Sequence, residues 1–297
     1  MAKKTLASFP VFLSILLVLC SPGTDVLGQS TYAKQATISE TSGKLRLVAN
    51  DSRPLAQALT ALQQKYGWLV NYEDPQYVSK LDSTSVKGPD GERRLPSGGE
   101  FTVELGPAST PAVPPDEQKT LQLLVDSYNK SSNPGRFELR EEAPIVKDPA
   151  INDQAGKDQS SKDQPRKDQP GKDSANKAPL RIFSVVGTSA HDSQGKISPQ
   201  SVLLDLLITI SAQERSFSDT ADLICQNLTD KSHTKVSLGV YPLGLARSNV
   251  TIGGKDSAAR DYLARAIEAT SRKLVWRVFY DPDSNSYILN LHQVRVP

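Results

Sequence analysis

The sequence predicts an α+β fold: two tandem small modules of βαββαββ type with mixed sheets, plus a disordered insertion rich in Lys, Asp and Gln. Three observations predict it. Short alternating strands are interleaved with amphipathic helices. The order of those elements is the same in the two halves. The stretch at 148–178, inside the first half, carries charge, proline and glycine but almost no apolar residues.

The first half opens with Leu45-Arg46-Leu47-Val48, which alternates like a half-buried strand. Pro54 sits at the first position of a helix, where its missing N–H costs nothing, and Asp51 or Ser52 is placed to cap it. Leu55, Leu59, Leu62 and Tyr66 share one face, and Gly67 closes the helix. Trp68 to Tyr72 reads as a strand ending in the turn Glu73-Asp74-Pro75. Residues 76–99 read as a long polar connection, and residues 29–43 as a patternless leader. Phe101 to Leu105 is the next strand. Asp116 caps a second helix bearing Leu121, Leu124, Val125 and Tyr128. Phe137-Glu138-Leu139 and Arg181-Ile182-Phe183 complete the half as a hairpin.

The second half repeats this order. A strand-like apolar run covers Val202 to Ile210, and Ser216 opens a helix with Ala221, Ile224, Cys225 and Leu228 on one face. Val236 to Val240 and Asn249 to Ile252 are strands, the latter ended by Gly253-Gly254 as a strand-to-helix turn. Asp256 or Ser257 then caps a helix with Ala259, Leu263, Ala266 and Ile267. The arms Leu274 to Tyr280 and Tyr287 to Val294 form a closing hairpin. On this alignment the modules occupy residues 43–190 and 199–297. Lys-Asp-Gln recurs at 157–159, 162–164 and 167–169, and residues 148–178 are a disordered insertion at the tip of the first module's terminal hairpin. An insertion there costs little, because closure entropy grows only logarithmically with loop length.

Residues 1–28 have the three-part grammar of a cleavable signal peptide: Lys3 and Lys4, an apolar run from Leu6 to Leu19, and Val26-Leu27-Gly28 before Gln29. The apolar run is about 14 residues, short of the roughly 20 that span a bilayer. The expected location is therefore extracytoplasmic, periplasmic or secreted. Cleavage before Cys20 as a lipoprotein is the weaker alternative, because Leu19 is not small. After processing Cys225 stands alone, so no internal disulfide is available, and its place on an apolar helix face predicts a buried thiol. The formal net charge of +2 offers no basic surplus for nucleic acid.

Leu45-x-Leu47-Val48, then Pro54-Leu55-x-x-Ala58-Leu59-x-x-Leu62, then Tyr66-Gly67-Trp68-x-Val70-x-Tyr72 resemble the secretin and TonB N-terminus short domain. The resemblance covers residues 43–145, and the second half echoes it more weakly. The chain is also similar to exported proteins of acidobacterial type carrying the string ALxxLxxxYGWxxxYEDP. The resemblance implies a periplasmic protein-interaction module without catalysis. No secretin pore, plug or barrel pattern follows, so the family's channel and receptor functions are not carried over.

Chemistry is sparse in the sequence. His191, His233 and His292 form no metal-binding spacing, and no metal or cofactor is expected. Glu73-Asp74, Glu141-Glu142 and Asp281 with Asp283 read as turn and strand-end acids. The aromatic residues Trp68, Tyr72, Trp276 and Tyr280 are the candidate anchors for a partner. The expected function is non-catalytic binding of an envelope protein through exposed strand edges. Two alternatives stand beside it: glycan or peptidoglycan binding through Trp68 or Trp276, and an envelope hydrolase uniting Glu73, Asp74 and a histidine.

Overall fold

The structure, a computed structural model, describes residues 35–41, 43–88, 91–107, 115–142 and 181–295. The leader at 1–28 and the Lys-Asp-Gln tract at 148–178 lie outside the described residues. Among those described, no helix is long and apolar enough to cross a membrane. The fold class is α+β with mixed sheets.

In the first half, β1 (Thr37–Thr41) precedes β2 (Lys44–Asn50), α1 (Pro54–Tyr66) and β3 (Val70–Glu73). The hairpin β4 (Ser83–Gly88) and β5 (Gly91–Pro96) follows. Next come β6 (Glu100–Pro107), α2 (Glu117–Lys130), β7 (Arg136–Glu141) and β8 (Phe183–His191). In the second half, β9 (Ile197–Pro199) precedes β10 (Leu207–Ser216), α3 (Phe217–Ser232) and β11 (Lys235–Leu238). Then come β12 (Asn249–Ala258), α4 (Ala259–Ala269), β13 (Leu274–Asp281) and β14 (Ser286–Gln293).

The pairings repeat as the elements do. β2 runs antiparallel to β6, and β10 to β12. β8 is parallel to β3 and antiparallel to β7, just as β14 is parallel to β11 and antiparallel to β13. The registers match as well. Tyr72, Val185 and Leu139 lie abreast in one half; Leu238, Leu289 and Val278 lie abreast in the other.

The halves are fused into one unit. β3 pairs in parallel with β13, giving a seven-stranded sheet in the order β11-β14-β13-β3-β8-β7 with β9 attached to β8. Along β3, Val70 and Tyr72 enter the core that also holds Leu55, Leu59 and Leu62 of α1 and Leu121 and Leu124 of α2. Along β13, Trp276, Val278 and Tyr280 enter the core built with Ala221 and Ile224 of α3 and Leu263 and Ala266 of α4, while Phe279 packs against the first core. Side chains alternate across a strand, so the two helix pairs lie on opposite faces of the shared sheet. Burial on both faces by apolar contact secures the structure, and truncating any one of these fully buried leucines costs about 2–5 kcal/mol.

Several local expectations are corrected. Residues 83–96 form the β4–β5 hairpin rather than an unstructured connection, and Thr37–Thr41 is a strand rather than loose leader. Between the two expected modules, β9 folds back on the end of β8. The run from Val202 to Ile210 splits into a 3-10 turn at Leu203–Asp205 and then strand. Asp116 and Ser216 cap their helices, accepting from Lys119 N–H and Asp219 N–H. At α1 the capping position is Arg53, and Asp51 accepts the Arg53 N–H at 2.8 Å instead.

Gly253-Gly254 is not the turn into α4. β12 continues through Asp256 and Ser257 to Ala258, so α4 begins without a side-chain cap. The β10–β12 ladder shifts register on either side of Ile210, and Gly253 lies in that stretch against the backbone of Ala212. A Cβ at Gly253 would overlap Ala212, whereas one at Gly99 meets nothing within 4 Å. Gly253→Ala is therefore expected to lower stability in urea denaturation by about 1–3 kcal/mol, with Gly99→Ala close to the parent. Equal costs at the two glycines would contradict this packing.

Candidate functional site

Two polar clusters hold the β3–β13 joint. On one side, Pro75 ends β3 and turns the chain so that the Asp74 carboxylate folds back over the joint. That carboxylate is fully buried. It accepts from Arg53 Nε at 2.6 Å, Tyr72 Oη at 2.7 Å, Tyr77 Oη at 3.3 Å and the Tyr280 N–H at 3.0 Å. The Asp74 N–H donates to the Val278 carbonyl at 2.9 Å. Arg53 also donates to the Tyr280 carbonyl at 2.5 Å and lies over the Phe279 ring. Burial pulls the Arg53 guanidinium down, but Asp74 outweighs it and the net shift is upward. Arg277, pushed down to about 10 by burial, donates to Gln63 and to the Val70 carbonyl. On the other face of β3, beside Glu73, Asn71 Oδ1 accepts the Trp276 N–H at 3.0 Å and its Nδ2 donates to Ser184 Oγ.

On the opposite side, Glu73 Oε1 accepts the Leu204 N–H at 3.1 Å, and Oε2 lies 3.7 Å from Arg260. Arg260 donates to Asp205 at 2.5 Å and to Glu142 at 3.0 Å, and Asp205 also takes Arg140 at 2.6 Å. Ser184 bonds Glu142, and Arg140 bonds Glu138. Burial pushes the Glu73 carboxyl up to about 7, against the opposing pull of Arg260 and the Leu204 N–H. The network ties β3, β7 and β8 of one half to the 3-10 turn and α4 of the other.

The structure does not bring Glu73, Asp74 and a histidine into one cluster. Glu73 and Asp74 are adjacent in sequence but enter separate networks on either side of the sheet. His191 is held by Asp82, through Nδ1 at 2.7 Å and its own N–H at 2.6 Å. His233 ends α3 in the left-handed conformation, and His292 lies on β14. Among the described residues no group of three or more His, Cys, Asp or Glu is placed to hold a metal ion. Cys225 is buried, and burial pushes its thiol up to about 12, as its helix-face position predicts.

The four aromatic residues offered as partner anchors require correction. Trp68, Tyr72, Trp276 and Tyr280 retain 7%, 1%, 3% and 2% of their surface and lie in the two cores. The alternation of β13 reads as one face for the core and one for solvent. In the fold both faces are covered, because Arg277 and Phe279 meet the other half's elements.

What the surface does offer is strand edges. In the first half β1 covers the outer edge of β2 over five register pairs, from Thr37↔Val48 to Thr41↔Lys44. The corresponding edge of β10 has no paired strand among the described residues. β7 and β11 form the two ends of the large sheet. On β7, Phe137, Leu139 and Glu141 turn their backbone groups outward, and Asn129 of α2 bonds both the N–H and the C=O of Phe137. On β11, the Thr229 hydroxyl of α3 does the same for Val236. Sequence patterns do not reveal such caps, because Asn129 and Thr229 read as ordinary polar helix positions. The Asp74 and Glu73 networks were hidden for a similar reason, since Arg53, Leu204 and Tyr280 stand 21, 131 and 206 residues from the carboxylates they meet.

No family model, no curated protein and no solved structure matches this chain.

The Glu73 carboxyl gives a pH prediction. Its folded value near 7 lies above the ordinary 4.5, so the stability linked to its proton is complete below about pH 4 and is lost as pH rises through 7. Glu73→Gln removes that loss. Relative to the parent, the variant is expected to gain stability between pH 4 and pH 8, by on the order of 3 kcal/mol. Urea denaturation at several pH values reads this out, and a pH-independent difference would contradict the buried carboxyl.

Proposed function

We propose that the chain is an exported, non-catalytic protein-binding module that takes an extended segment of an envelope partner onto the open edge of β10. The observation that carries this reading is the asymmetry between the halves. β2 has its outer edge covered by β1, and the equivalent edge of β10 is uncovered among the described residues. β1 thus already displays, inside the chain, the strand addition that a partner would perform. Strand addition draws affinity from backbone hydrogen bonds and asks little of particular side chains. That suits a β10 whose residues Ser211, Gln213 and Glu214 are exposed and polar. The signal-like leader at 1–28 and the resemblance to secretin and TonB N-terminal domains support an extracytoplasmic role. Burial of Trp68 and Trp276 leaves the glycan-binding alternative without its aromatic platform.

The test uses a proline on the edge. The Phe217 N–H bonds across to the Ser248 carbonyl, so by alternation the Glu214 N–H points outward, where proline removes a donor from the edge alone. A photo-crosslinking residue at Gln213 is expected to capture an envelope protein in the parent and at least ten-fold less of it in Glu214→Pro, with the thermal melt unchanged. Equal capture by both, or none by the parent, would overturn the reading.

A further inference from the structure

We infer that the chain associates with further copies of itself head to tail, the outer edge of β7 on one copy pairing in parallel with that of β11 on the next. The contact already exists once inside the chain. The first half is related to the second by a half-turn about an axis crossing the strands in the sheet plane, with a translation of three strands. This operation preserves the left-to-right order β11-β14-β13 and β3-β8-β7, reverses strand direction and exchanges the helix-bearing face. Applied once more, it sets a second copy's β11 beside β7, parallel to it. A rotation with translation does not close on itself, so this contact is heterologous and generates an open array rather than a symmetric dimer.

The exposed groups match the internal joint. That joint is short, with the register pairs Arg277↔Tyr72 and Val278↔Glu73. By register, Leu139 is the counterpart of Val278, and Leu238 that of Tyr72. These two residues carry the outward backbone groups left over beside the capped Phe137 and Val236. Val240, the counterpart of the buried Asp74, is 66% exposed, and Leu243 just beyond it is 89% exposed. Apolar surface therefore stands bare where the internal joint is covered.

The copy-to-copy contact is weaker than the internal one, for two reasons. The Arg53–Asp74 cluster has no counterpart, since Val240 and Glu141 replace Asp74 and Tyr280. Flanking backbone groups are also held by side chains that a neighbouring strand must displace: Asn129 at Phe137, Thr229 at Val236, and Asn290 at the Val240 N–H at 2.8 Å. Association is thus reversible and rises with concentration.

Sedimentation velocity of the purified protein, in a series reaching about 1 mM, tests this. The parent is expected to form species beyond the dimer. Leu139→Pro and Leu238→Pro each block one edge without touching an internal ladder bond. Each alone should be monomeric, and their mixture should give a dimer and nothing larger. Asn129→Ala, which uncaps β7, should strengthen association at least ten-fold, and Val240→Glu, a surface change independent of proline's effect on folding, should weaken it by as much. A parent that stays monomeric throughout, or proline variants that each still dimerise, would overturn the inference. Neither result touches crosslinking at β10, so the binding reading stands or falls separately.

Discussion

The structure depends on how the short strand β3 is held beside β13. Parallel pairing over two register pairs supplies few backbone hydrogen bonds, and the joint lies inside the protein, where an unpaired polar group costs about 1–3 kcal/mol. Asp74 resolves this by accepting four hydrogen bonds while its own N–H completes the ladder to Val278. Asn71 and Arg277 satisfy the backbone at Trp276 and Val70 in the same manner. A buried ion pair such as Arg53–Asp74 contributes little net stability against a well-packed apolar substitute. Its contribution is geometric: it accepts one relative placement of the halves and penalises others.

From that placement the rest follows. With β3 and β13 parallel, the two copies of the fold must face opposite ways, so one pair of helices covers each side of the sheet. Both sides of the central strands are then buried, which is why Tyr72, Trp276 and Tyr280 are core residues. The same fusion leaves the sheet two unlike ends, β7 and β11, and among the described residues β10 lacks the covering strand that β2 has. Edge strands invite further pairing. Side-chain caps at Phe137 and Val236 limit that pairing to a narrow stretch of each end.

Much of the architecture was legible because apolar spacing is a local signal. Leu55, Leu59 and Leu62 announce α1, Asp116 and Ser216 announce their helices, and the shared order of elements announces the duplication. The adjacency of β7 and β8 was legible too, since the second half shows the same two strands joined by a short turn. Elements whose side chains are polar on both faces were not. β4 and β5, with residues such as Lys87, Glu92 and Arg93, carry no apolar alternation, and their pairing is set by the backbone. Gly253-Gly254 looked like punctuation, and only the register shift opposite Ala212 explains it. The joint was illegible for a further reason. Asp74, Arg53 and Tyr280 are each unremarkable where they stand, and nothing local indicates that a chain separation of more than 200 residues closes between them.

The central claim is that this joint makes two copies of one fold into a single cooperative body. Native-state hydrogen exchange of the Asp74 and Tyr280 amides tests it most directly, since both amides donate within the joint. If the joint is integral, these amides exchange only through global unfolding, with the same denaturant dependence as amides in the cores of both halves. Exchange through a smaller opening, with the two halves retaining separate protection, would contradict the account.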